Sequence, residues 1–303
     1  MSARLRGIAR QTQEIVESGQ YVAPNGRTVT IAAEVAAARA AVRLYGPEPL
    51  SVTPDTGRVT SFEVTGESST AAARRLAERD PGPVAVLAFA SARNPGGGFL
   101  NGAQAQEEAL CRASALHTTL LRVPEYYAHH RADRDPCYSD RVIHSPGVPV
   151  FRDDRGGLLD TPYTVGFLTS PAPNAGVIAG RTPERVALIP RLLAARAERV
   201  LQAAVAGGYR RLVLGAWGCG VFRNDPAQVA EAFRAPLTGD GSFAGHFDEV
   251  AFAILDRTGG QRTLEAFRRV FGPMPVPVPA AGAVPVPVPV SGSVSGPGAQ
   301  PQP

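Results

Sequence analysis

One short apolar run and the glycine loop behind it constrain this chain most. Val84-Ala85-Val86-Leu87-Ala88-Phe89-Ala90, bounded by Pro and Gly, predicts a fully buried strand. It leads into Asn94-Pro95-Gly96-Gly97-Gly98 and then, after the seven residues Phe99 to Ala105, into Gln106-Glu107-Glu108. A helix is predicted over 104–121, so the unit is strand, glycine loop, helix, with two acidic residues in the helix's first turns. A triple glycine lets backbone N–H groups approach an anion with no Cβ in the way. Carboxylates beside an anion cradle repel its ligand, and that conflict points to chemistry.

The remaining pattern alternates strands with helices. Helices are predicted over 3–18, 31–44 and 70–79, a hairpin pairs Tyr21-Val22-Ala23 with Thr28-Val29-Thr30, and 59–63 is a strand. Strands follow at 141–144 and 163–169, with a hairpin of 149–151 and 158–160 around Arg155-Gly156-Gly157. A long amphipathic helix over 182–206 opens on a Thr N-cap with Pro at its first position. Arg211 to Ala216 is a second buried strand, running into Gly218-Cys219-Gly220; Asp225-Pro226 opens a helix through Phe233. A strand over 249–255 and a helix over 260–271 close the pattern, which predicts an α/β sandwich with a largely parallel or mixed sheet. From Pro273 to Pro303 the composition turns to Pro, Val, Ala, Gly and Ser, an expected disordered tail outside the fold.

The chain has 303 residues, 44% of them hydrophobic and 19% charged, which is globular composition. Its net charge is +4, and all 31 basic side chains are arginine, a residue whose fork suits a polyanionic ligand. Three widely spaced cysteines, Cys111, Cys137 and Cys219, argue against a disulfide framework and a structural zinc site. The first residues carry no secretory signal, and no apolar stretch reaches the roughly 18 residues of a membrane span. The expected location is the cytoplasm.

In open α/β sheets ligands sit beyond the carboxyl ends of the strands. Two such ends carry glycine loops here, Gly96–Gly98 and Gly218–Gly220, and neither matches a dinucleotide or P-loop fingerprint. Together they suggest a two-sided cradle for a diphosphate. Phe222, at the end of Trp217-Gly218-Cys219-Gly220-Val221-Phe222, is placed to stack on a base or pack under a ribose.

Gly-Gly-Gly, a short spacer, then Gln-Glu-Glu resembles the signature of poly(ADP-ribose) glycohydrolases, and Trp217 to Phe222 looks like that family's diphosphate loop. The chain is similar to the compact bacterial type. The resemblance implies a macrodomain-like three-layer α/β/α sandwich with a mixed central sheet. A helical N-terminal extension (1–82) would pack on a catalytic core (83–272), with the tail at 273–303. It further implies hydrolysis of ribose–ribose bonds in poly(ADP-ribose), no cofactor and no metal. The implied partners are poly(ADP-ribose), ADP-ribose and poly-ADP-ribosylated proteins, with no membrane or direct DNA binding, and the chain is expected to be a monomer. The catalytic role falls on Glu108, with Glu107 binding ribose hydroxyls.

Consecutive helical residues lie about 100° apart. Glu107 and Glu108 therefore cannot face each other across a sugar as the carboxylates of ordinary glycosidases do. One carboxylate must serve as acid and then base, or a second must come from elsewhere. The acid role requires a carboxyl raised by burial or by its acidic neighbour. Asn94 is a candidate partner for the terminal ribose hydroxyls, and Gln106 for orienting the loop or the ribose. Residues 126–135, including His129 and His130, are expected as a polar loop that could cover the penultimate ribose. Cys111 is expected on a packed helix face. Two other readings share the loops, a non-catalytic ADP-ribose-binding macrodomain and a mono-ADP-ribosyl-protein hydrolase. Gln106-Glu107-Glu108 favours cleavage of the polymer.

Overall fold

Helices and strands alternate along the computed structural model, which describes residues 2–272; the expected tail lies outside the described residues. The first part comprises α1 (Ala3–Ser18), β1 (Gln20–Val22), β2 (Thr28–Thr30), α2 (Ala32–Ala41), β3 (Arg43–Tyr45), β4 (Ser61–Thr65) and α3 (Ser69–Arg79). Next come β5 (Val84–Phe89), α4 (Gln106–Ala113), α5 (Leu116–Leu120), α6 (Pro124–Ala132), β6 (Val142–Arg152) and β7 (Leu158–Ser170). The last are α7 (Ala175–Arg181), α8 (Ile189–Ala206), β8 (Arg211–Gly215), α9 (Pro226–Leu237), β9 (Glu249–Ala253) and α10 (Arg262–Phe271).

Seven strands form one mixed sheet in the order β3-β6-β7-β5-β8-β9-β4, and β1 with β2 makes a separate ribbon. β3, β6 and β7 pair antiparallel, whereas β7, β5, β8, β9 and β4 run parallel. The period of two along the strands divides the interior. Val84, Val86, Ala88, Val213 and Ala251 face a core covered by α1 to α6. Ala85, Leu87, Leu212, Leu214, Val250 and Phe252 face a core covered by α7 to α10. The result is the expected three-layer α/β/α sandwich with a mixed central sheet.

Several elements differ from the sequence pattern for local reasons. The helix expected over 31–44 stops at Ala41, because Arg43–Tyr45 is recruited as an edge strand against β6. The helix expected over 104–121 breaks at Ser114, whose hydroxyl donates to Leu110 O (2.7 Å) and accepts from Leu116 N (3.2 Å). Such a side chain competes with the backbone for hydrogen bonds and interrupts the helix. The expected loop at 126–135 is mostly α6, begun by Pro124 in its first turn. The separate strands expected between 141 and 169 are one long hairpin, β6–β7, with an irregularity between Ser145 and Val148 where Pro146 and Gly147 intervene. The helix expected from 182 is a 3-10 turn at Pro183–Leu188 followed by α8.

The boundary expected at residue 82 falls between α3 and β5. Residues before it supply α1 and α2 but also β3 and β4, the two edges of the sheet, and the chain through Gly272 forms one compact unit. Arg211 holds this junction: buried at the start of β8, it donates to Leu76 O (2.7 Å) and Asp80 O (2.9 Å), satisfying carbonyls at the end of α3. Arg211→Ala should lower the unfolding free energy by about 1–3 kcal/mol, since hydrogen bonds from a buried charged donor are lost and Leu76 O keeps only a 3.4 Å bond from Asp80 N. Urea denaturation of the variant against wild type checks this.

Candidate active site

The carboxyl ends of β7, β5 and β8 lie side by side, and the loops leaving them form the site. Gly96 and Gly97 adopt left-handed backbone, at φ 67° and 57°. Their loop is not the open anion cradle expected from the sequence. Gly97 N donates to Asn94 O (2.9 Å), and Gly98 N donates to Glu108 Oε1 (2.8 Å). The glycines instead let the chain lie directly on two carboxylates: a Cβ on Gly97 would run into Glu108 Oε1 and Glu107 Oε2.

Glu107 and Glu108 occupy the first turn of α4 at only 2% and 7% exposure. The N-cap, Ala105, offers no side-chain acceptor, so the carboxylates are the negative groups at the positive end of this helix. Glu107 Oε2 accepts from Ser91 N at 2.7 Å. Although 100° apart on the helix, the two side chains thus converge on one loop, each tied by one oxygen to a backbone N–H. Their other oxygens, Glu107 Oε1 and Glu108 Oε2, are buried without a hydrogen-bond partner among the described residues. Burial pushes the Glu107 carboxyl well above its ordinary value, the charge of Glu108 adds to this, and the donors at Ser91 and Gly96 oppose it. The Tyr126 and Tyr127 hydroxyls are likewise buried and unpartnered among the described residues, and burial together with the Glu107 charge raises both phenols.

Gln106 does not face a ligand. Its Oε1 accepts from Phe89 N (2.9 Å), and its Nε2 donates to Leu87 O (2.8 Å) and Ser69 Oγ (3.0 Å), pinning the end of β5 to α3. It is a positioning residue, the first of the two roles expected for it, orienting the loop rather than the ribose. Asn94 is exposed, and its side chain makes no hydrogen bond among the described residues.

The second loop divides in two. Trp217 is fully buried, donates from Nε1 to Ser170 O (2.9 Å) and packs on Phe233. Its ring belongs to the core that carries the loop. Gly218 (φ 72°) is equally structural: a Cβ there would strike Ala172 and Asn224. Cys219 closes a turn by donating its N–H to Ala216 O (3.1 Å). Beyond it the loop opens. Gly220 and Val221 are exposed, and the N–H groups of Gly220, Val221 and Phe222 have no acceptor among the described residues. Phe222 is half-buried, 5.8 Å from the ring of Tyr138. Asn224, buried, donates to Pro173 O (2.8 Å) and Gly218 O (3.2 Å), joining this loop to the one after β7.

Sequence reasoning missed Ser91, Asn224, Tyr138 and the segment 171–174. Ser and Asn in loops are common, and only the fold shows which of them tie functional loops together. No group of three or more His, Cys, Asp or Glu side chains among the described residues is placed to hold a metal ion. No described helix is long and apolar enough to cross a membrane.

Residues 9–153, which contain the first loop and both glutamates, match the family model of the microbial-type PARG catalytic domain. The crystal structure of poly(ADP-ribose) glycohydrolase (PARG) from Thermomonospora curvata is 52% identical, covering 89% of this chain and 100% of that one, with a TM-score of 0.83. The chain belongs to the poly(ADP-ribose) glycohydrolase family. A structure of the Thermomonospora curvata glycohydrolase bound to the inhibitor ADP-HPD is 53% identical over 88% of this chain and 99% of that one, with a TM-score of 0.82. The Deinococcus radiodurans glycohydrolase in complex with ADP-ribose is 46% identical over 80% and 99%, with a TM-score of 0.74. Comparison with curated protein sequences finds no match. The mixed central sheet flanked by helices matches the macrodomain-like fold of those bacterial glycohydrolase structures.

A raised Glu107 has a stability consequence. The folded protein holds that proton to higher pH than the unfolded chain, whose carboxyl titrates near the ordinary 4.5. Stability is therefore lost as pH rises from about 4.5 toward the folded value. Glu107→Gln keeps an oxygen for Ser91 N but removes the buried charge. The variant should unfold at higher temperature than wild type at pH 7.5, with the difference vanishing below about pH 4.5. Thermal melts across that range provide the check, and equal melting temperatures at pH 7.5 would contradict it.

Proposed function

We propose that this glycohydrolase cleaves the ribose–ribose O-glycosidic bond of poly(ADP-ribose), releasing ADP-ribose, with Glu108 as general acid and then general base. The observation that carries this reading is the pair of buried, unpartnered oxygens, Glu107 Oε1 and Glu108 Oε2, held beneath the glycine loop. ADP-ribose is bound by the Deinococcus radiodurans relative, and an inhibitor, ADP-HPD, by the Thermomonospora curvata relative. At such identity the same ligand class is expected here.

Glu108 Oε1 already accepts from Gly98 N, so the transferable proton belongs on Oε2. That proton passes to the departing 2′-oxygen as the glycosidic bond breaks and an oxocarbenium-like ribose develops. The carboxylate left behind removes a proton from the water that attacks C1″, which restores the acid and completes the hydrolysis. Glu107 Oε1 receives or donates a hydrogen bond at the ribose hydroxyls, with Asn94 at the open rim. The unbonded N–H groups of Gly220, Val221 and Phe222 hold the diphosphate, where its charge stabilises the developing cation. Phe222 supplies the apolar surface for the base or ribose. Poly-ADP-ribosylated proteins are the natural carriers of such a substrate.

A binding module has no use for a buried carboxylate with a free oxygen beside the ribose, which favours the enzyme over the reader. Labelled polymer and free ADP-ribose separate the two. Glu108→Gln should reduce polymer turnover by about 10³-fold while ADP-ribose affinity stays within about threefold. Phe222→Ala should weaken ADP-ribose by about tenfold, the effect of removing one stacking surface. Unchanged polymer turnover by Glu108→Gln would remove Glu108 from the mechanism.

A further inference from the structure

A cavity of about 60 Å³ lies between α1, α4, the turn of the β6–β7 hairpin and Thr70 in α3. That is room for several waters or one tetrahedral anion. Four guanidinium groups line it, from Arg4, Arg112, Arg152 and Arg155, against the two carboxylates of Asp153 and Asp154. None of the four arginines has a carboxylate within ion-pair distance among the described residues.

Arg152 is 2% exposed and has only neutral partners: Thr12 Oγ1 (3.1 Å), Gly156 O (2.8 Å) and Gln11 Oε1 (2.8 Å). Arg112, half-buried, donates to Ala103 O at 2.6 Å. Burial disfavours the charge of both side chains and lowers their pKa values. Asp153 Oδ1 is occupied by the N–H groups of Arg155 (2.9 Å) and Gly157 (2.7 Å), and Asp154 accepts from Ser68. A buried cation with neutral partners is stabilised by a counter-anion, and several guanidinium forks around one space match phosphate oxygens.

We propose that this cavity seats one phosphate group, of a phosphate or of a diphosphate, at a site separate from the two loops. The group is either a free inorganic anion or a diphosphate further along the polymer. Arg4 and Arg155 are exposed and lie outside the candidate active site, so their removal tests the cavity without touching that machinery.

Pyrophosphate titrated calorimetrically into wild type saturated with ADP-ribose should bind at one additional site. The Arg4→Ala, Arg155→Ala double variant should bind it at least tenfold more weakly, with an unchanged circular dichroism spectrum. Polymer kinetics then identify the source. A KM raised for long polymer and not for short oligomers assigns the site to the polymer, and an unchanged KM assigns it to the free anion. Absence of pyrophosphate binding in the presence of ADP-ribose, or binding that the double variant retains in full, would overturn the proposal. Should ADP-ribose itself fail to bind, its own heat is missing, and pyrophosphate alone still reads the variant-sensitive site.

Discussion

Two hydrogen bonds, Ser91 N–H to Glu107 and Gly98 N–H to Glu108, tie the first turn of α4 to the loop leaving β5. They also orient two buried carboxyl groups. Each fixes one carboxylate oxygen and leaves the other bare. The bonds require backbone to pass close over both side chains, which Gly97 permits and a Cβ would block. They also require α4 to start at a fixed height above the sheet, which Gln106 sets by binding Phe89 N and Leu87 O. The three functional letters of Gln106-Glu107-Glu108 are therefore one device: the first locates the helix, and the next two are aimed by it.

The second loop works by the opposite principle. In the first loop the N–H groups of Ser91, Gly97 and Gly98 are engaged, whereas those of Gly220 to Phe222 are left open among the described residues. Its anchored half is held by Trp217 to Ser170 O and by Asn224 to Pro173 O. Arg196, fully buried in α8, supports the same region by donating to Pro171 O (2.8 Å) and Cys137 O (2.9 Å) and pairing with Asp140. The proposed acid–base groups and anion donors thus sit on separate loops that leave adjacent parallel strands. Keeping them apart removes the repulsion that the glycine-and-glutamate motif presents when read in isolation.

The motif at Gly96 to Glu108 was legible because its parts are close in sequence and each has a strict steric or chemical reason. The buried strands were legible from their apolar runs, and so was the mixed sandwich. Features hidden from the sequence depended on distant partners. Arg43–Tyr45 looks helical until β6 offers it an edge, and Ser114 breaks a helix only because its hydroxyl bonds Leu110 O. The anchoring roles of Trp217 and Gln106 show only once their distant partners, Ser170 O for one and Phe89 N, Leu87 O and Ser69 Oγ for the other, are in place. The convergence of two adjacent glutamates on one loop was likewise invisible, because helical geometry alone places them on different faces.

On the proposed mechanism the glycine loop's fit over the glutamate pair organises catalysis, while the second loop holds the ligand. Gly97→Ala separates the two roles, through kcat for polymer and the dissociation constant for ADP-ribose measured on the same preparation. Left-handed backbone at a non-glycine residue costs about 1–2 kcal/mol, and the added Cβ displaces both carboxylates. The kcat should fall by about 100-fold or more, with ADP-ribose affinity within about threefold of wild type. Wild-type turnover in Gly97→Ala, or loss of ADP-ribose binding in step with kcat, would contradict this division of labour.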